Sequence, residues 1–242
     1  MTEKPASVNS TRERHEPYAV LLLVLLLCTD LVFITVHILY SLTTFFDNPL
    51  LSLDRELGYP ELFQYIKWFW VIILLLYMTV STRSLRYAAW VLLFAFLLAD
   101  DVFMLHEVWG SRLARLFTES FLTGLRKQDI GELLVSALVT LALLIPVWLS
   151  YRKGSSYFRR ISRDLFLLLV VVFFFGVILD PVHAAFRSHP VTGFILGVAE
   201  DGGEMVAASL IVWYVYLRCV QGEHTGISLA EAVIQFFKWK KG

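Results

Sequence analysis

Charge is scarce in this chain. Asp, Glu, Lys and Arg make up 17% of its 242 residues, against about 25% in an ordinary soluble domain. Twenty-one basic residues offset 21 acidic ones. The balance excludes the whole-protein positive field that nucleic-acid binding uses. Cysteine is nearly absent. Cys28 and Cys219 lie in or at the end of apolar runs without C-x-x-C spacing, which excludes a disulfide framework, a thiol-redox pair and a zinc knuckle. There is no fixed-period repeat and no low-complexity tract. The zincin motif is missing as well: His106-Glu107 opens like H-E-x-x-H, but position 110 is Gly110.

Apolar residues are plentiful instead: 57% of the chain is hydrophobic and the mean hydropathy is +0.66. They are gathered in runs, which excludes disorder and a soluble surface alike. A bilayer core about 30 Å thick takes about 20 apolar residues per helix. Six segments meet that need, at 18–42, 62–80, 85–106, 133–150, 165–185 and 194–217. The expected fold is therefore all-α, a six-helix transmembrane bundle over 18–218. A polar N-terminal stretch, 1–17, and a tail, 219–242, flank it. The first run is too long for a cleaved signal peptide, is interrupted by Asp30, and no A-x-A-like site follows.

Basic residues set the expected orientation. Arg83 and Arg86, then Arg152, Lys153, Arg159, Arg160 and Arg163, fall on the same side as Lys4, Arg12, Arg14, Lys238, Lys240 and Lys241. Both termini are expected in the cytoplasm, and the short loops suit a bacterial inner membrane. Two short helices are expected to lie in the interface. One is 111–125, with Leu113, Leu116, Phe117 and Phe121 on one stripe. The other is 228–241, opened by the capping box Ser228-x-x-Glu231 and closed by lysines. Membrane lipids are the partners these helices imply. The connection from Phe45 to Glu61 is rich in turn residues.

The informative residues are ionisable ones placed where water should be absent. The first span carries Asp30 and His37, and the third Asp100, Asp101, His106 and Glu107. The fifth carries Asp180 and His183, and the sixth Glu200, Asp201 and Glu204. Each unpaired charge in hydrocarbon costs about 2.5–3.5 kcal/mol. Eight such carboxylates would cost on the order of 20 kcal/mol, above the roughly 5–15 kcal/mol net stability of most proteins. They must be paired, protonated, hydrated or bound to cations. Helical spacing puts Asp30 with His37, Asp100 with Glu107, Asp180 with His183, and Glu200 with Glu204 on shared faces. His106 and Asp101 point away from the Asp100 face. All four sets fall in the outer half of the bilayer. Lys67 stands near the outer start of the second span, and the fourth span looks purely structural.

No Arg lies in these polar stretches, so ion pairs do not balance the acids in this reading, whereas a divalent cation does. The expectation is one or two metals, zinc first and iron or manganese next, on ligands drawn from Asp30, His37, Asp100, Asp180, His183, Glu200 and Glu204. Glu107 or Asp101 is left as general base. The reaction expected is hydrolysis of a lipid-like substrate by metal-bound water. The alternative is a transporter or channel in which the same acids exchange protons or divalent cations. A redox di-iron site is disfavoured because the repeated Glu-x-x-His is missing. Gly202-Gly203 either frees backbone carbonyls for an ion or allows close helix packing. The ligand types resemble those of the alkaline ceramidases and adiponectin receptors, which hold zinc in a helical bundle. This chain lacks their H-x-x-x-H motif and one of their seven spans.

Overall fold

The computed structural model describes residues 7–116, 127–186 and 188–221. Among them every regular element is helical. The elements are α1 (Ser7–Leu42), α2 (Tyr59–Ser81), α3 (Ala88–Phe103), α4 (Leu105–Ala114), α5 (Lys127–Arg152), α6 (Ser156–Phe173), a π-helical segment (Phe174–Leu179), α7 (Asp180–Phe186) and α8 (Pro190–Gln221). Five helices are long and apolar enough to cross a membrane, or six if α3 and α4 count as one bent span. The expected interfacial helix at 228–241 lies outside the described residues, as do positions 117–126 of the other.

Local chemistry sets the boundaries. Ser155 caps α6, its Oγ accepting from the Phe158 N–H at 3.2 Å. Pro60 and Pro190 sit in the first turns of α2 and α8, where a missing N–H costs nothing. Pro181 likewise falls in the first turn of α7, so the chain passes through it as helix and Asp180 does not end the span. The π segment before it absorbs the change of register.

One expectation about the helices is corrected. The third span does not run straight to His106. It breaks at Met104, whose φ of 50° and ψ of 42° are left-handed, and α4 leaves at 72° to α3. α1 starts at Ser7, well before the apolar run, because Arg and Glu within 11–16 are good helix formers.

α8 is the central helix, in contact with α1, α2, α6, α7 and the π segment. In its most apolar stretch 61% of residues are buried, against 6% in α5 at the periphery. The apolar core lies toward the end of the bundle where α1 begins and α8 ends. There Trp68, Val71 and Leu75 of α2 meet Trp90 and Phe94 of α3, Ile161 and Leu165 of α6, and Ala208, Ile211 and Val215 of α8. That end also buries polar links. Trp90 donates to Ser162 Oγ at 3.0 Å, and Tyr214 donates to Asp164 at 2.8 Å. At the opposite end the helices enclose a cavity.

Gly110 and Gly131 decide how that end closes. A Cβ built on Gly131 would stand 2.9 Å from the Gly110 carbonyl carbon, and one on Gly110 would stand 2.6 Å from the Glu132 nitrogen. The backbones of α4 and α5 therefore touch, and only glycine fits at either position.

Candidate functional site

Asp100 and Asp101 lie in the last turn of α3, just before the break at Met104. Asp100 Oδ1 accepts from the His106 backbone N–H at 2.8 Å, capping α4 across the break. Its Oδ2 lies 3.2 Å from His106 Nδ1, so the same carboxylate orients the imidazole. Asp101 accepts from Trp68 Nε1 at 3.0 Å. On the far side, His183 Nδ1 of α7 lies 2.7 Å from Glu200 Oε2 of α8. Gly197 gives that imidazole room: an added Cβ would come within 3.0 Å of it.

These groups surround a cavity of about 530 Å³. Its polar lining is Glu56 of the loop, Asp100 and Asp101 of α3, His106 and Glu107 of α4, and Gln128, Asp129 and Glu132 of α5, with Asp180 of α7 and Glu200, Asp201 and Glu204 of α8. Ten are carboxylates, one is an imidazole, and neither Lys nor Arg is among them. The rest of the wall is mostly apolar: Leu93, Phe96 and Leu97 of α3, Leu133 and Leu143 of α5, and Leu169, Val172 and Phe173 of α6. A smaller chamber of about 220 Å³ adjoins it and shares Glu56, Asp101, His106, Glu107, Asp201 and Glu204. It adds Asp54, Arg55 and Glu61, with Gln64 at its wall.

Of the residues picked out by sequence, Asp100, Asp101, Glu107, Asp180, Glu200 and Glu204 line this one cavity, and His183 joins it through Glu200. Asp30 and His37 are held elsewhere. Asp30 is wholly buried and accepts from Lys67 Nζ at 3.0 Å and Ser209 Oγ at 2.6 Å. Lys67 also donates to the Met205 carbonyl at 2.8 Å. This corrects the expectation that ion pairs play no part: Lys67 is not at the rim but two turns into α2, fully buried, and it neutralises Asp30. His37 is a loop anchor. Its Nδ1 accepts from the Leu53 N–H at 3.0 Å and lies 3.1 Å from Ser52 Oγ. Its ring stacks on Phe194. Leu53 forms part of the smaller chamber's wall, so His37 positions the loop over the site.

Sequence reasoning missed Glu56, Asp129 and Glu132 as lining residues. It also missed Gln64, whose signal was available as an amide inside an apolar helix, one turn before Lys67. Gly202 and Gly203 do not break α8, which is continuous through them. A Cβ on Gly202 would meet Ile34 at 3.1 Å, and Gly203 abuts Phe175, so both serve close packing. Among the described residues, no three His, Cys, Asp or Glu side chains form a group that could hold a metal ion.

Fold and site together define an all-helical bundle, with five or six helices of membrane-spanning length, that encloses an acid-lined cavity at one end. Residues 17–220 match a family described as a domain of unknown function (DUF8692), and the chain belongs to that family. No curated protein and no solved structure matches it.

Proposed function

We propose that the chain is an integral membrane protein with both ends in the cytoplasm, and that it is a transporter coupled to protons or divalent cations. The observation that carries this reading is the lining of the larger cavity: ten carboxylates and one imidazole, with neither Lys nor Arg lining it among the described residues. In a low-dielectric surrounding such a set takes up protons, cations or water. A coupling ion is a charge that arrives and leaves.

Two departures from α-helical geometry support transport over a fixed binding site. The α3–α4 break and the π segment both border the cavity, through Asp100, His106, Gly176 and Val177. Broken spans expose helix ends to an ion; the C-terminal end of α3 is a partial negative charge beside the acids. Helix irregularities of this kind recur at functional sites.

Purified protein in liposomes loaded with a pH-sensitive or divalent-cation-sensitive dye tests the reading. Flux above that of protein-free liposomes is expected, with at least a tenfold loss in Glu204→Gln, since Glu204 lines both chambers. Flux no greater than in empty liposomes would overturn it.

The Asp100–His106 pair favours a second reading, a hydrolase acting on a lipid-like substrate. A carboxylate that fixes an imidazole beside a cavity is the arrangement of a general base. Release of fatty acid or amine from ester- and amide-linked lipids, lost in His106→Gln while ion flux is absent, would favour this reading. Metal analysis of the same sample tests whether zinc, iron or manganese accompanies it.

A further inference from the structure

The smaller chamber holds a feature that repelling acids do not explain. Gln64 is 6% exposed and lines that chamber; its amide N–H side is set toward Glu204, yet its Oε1 has no hydrogen-bond partner among the described residues. A buried amide left unpaired costs about 1–3 kcal/mol per group. The Nε2 has carboxylates nearby as prospective acceptors, since Asp101, Asp201 and Glu204 line the same chamber. The Oε1 needs a donor, which an ionised carboxylate is not.

A proton or a bare metal ion would satisfy the acids, but neither needs the rest of the wall. The two chambers join at shared acids, and beyond these the larger one is walled by Leu93, Leu97, Leu143, Leu169 and Val172. The combined space is polar and negative at one end and apolar at the other. An occupant that matches both ends carries a positive group with several N–H donors and a hydrocarbon chain.

We propose that the substrate is a cationic amphiphile, an alkylammonium compound. Its ammonium head donates to Gln64 Oε1 and to the carboxylates of Asp201 and Glu204, and its chain lies along α3, α5 and α6. This rests on the transport reading and names what is moved. Because protons and the ammonium head compete for the same carboxylates, the two exchange rather than travel together.

The test is titration calorimetry on the full chain in lipid nanodiscs at fixed pH, with empty nanodiscs as the baseline for partitioning. The probes are dodecylammonium chloride, ethylammonium chloride and manganese chloride. Dodecylammonium is expected to bind at least ~tenfold more tightly than ethylammonium, since each buried methylene adds about 0.8 kcal/mol. Gln64→Leu is expected to weaken the head's binding about tenfold, the loss of one hydrogen bond to a charged group. Leu143→Trp, which fills the apolar end, is expected to erase the advantage of the longer chain. Manganese bound without any preference for dodecylammonium would overturn the amphiphile and leave the cation reading standing. Dodecylammonium uptake equal in wild type, both variants and empty nanodiscs is partitioning, and would also overturn it. Binding of none of the probes would sink both readings.

Discussion

At the scale of single residues, the clearest test concerns Asp30 and Lys67. Both are fully buried and joined at 3.0 Å, with Ser209 and the Met205 carbonyl completing the set. Removing one partner leaves an uncompensated charge, which costs about 3–5 kcal/mol, whereas replacing both with apolar groups is often neutral. Lys67→Met is expected to lower the melting temperature sharply in detergent, and Asp30→Leu with Lys67→Met to recover most of the loss. Equal destabilisation by the single and double variants would show that the pair is not self-contained. Asp30 was legible in the sequence as an acid requiring a positive partner. Its partner was not, because residue spacing fixes which face of a helix a side chain occupies but not the relative height of two helices. Lys67 read as a rim residue for that reason. His37 misled differently: its partner is a loop N–H, and no periodicity predicts where a turn-rich loop folds back.

At the scale of elements, the break between α3 and α4 sets the site. Met104 holds a left-handed backbone that costs an ordinary L-residue roughly 1–2 kcal/mol and glycine almost nothing. Met104→Gly is therefore expected to preserve the break and raise stability by up to ~1 kcal/mol, less the loss of the methionine side chain from the chamber wall. A thermal-shift assay reads the sign. A fall of several degrees would mean that side-chain packing, not the backbone, holds the turn. The crossing of Gly110 and Gly131 makes the opposite demand. Gly131→Ala drives a methyl into the Gly110 carbonyl and is expected to cost about 1–3 kcal/mol by overpacking. Glu132 beside it lines the cavity with Glu107, so on the transport reading ion flux should fall further than stability does. The apolar runs made the long spans legible. The break has no proline or glycine to announce it; the π segment holds Gly176 and runs up to Pro181, but neither residue type specifies a π register. Both arise from tertiary packing that draws the acids inward, which composition cannot show.

At the scale of the whole molecule, the two ends of the bundle divide the work. One end packs tryptophans and aliphatic side chains; the other keeps an acid-lined cavity. Depth and face made the convergence of acids visible for three of the four spans; the set on α1, Asp30 and His37, is held elsewhere. The acids of α5 escaped because Asp129 and Glu132 precede its apolar run and read as loop residues. On the transport reading, positive charge enters at this acidic end. Any cation that binds the folded form and not the unfolded one adds stability by mass action, about 2.7 kcal/mol at a hundredfold excess over Kd. Thermal melts at constant pH and ionic strength should therefore shift upward on addition of the transported cation. The shift should be smaller in Asp201→Asn, which removes one charge shared by both chambers. Asp164→Asn, in the other half of the molecule, should leave the shift unchanged while lowering the baseline, because it removes a carboxylate that holds Tyr214 and Arg218. If instead the cation acts on the lipid or on scattered surface acids, the two variants would respond alike, and stability would not report on the cavity.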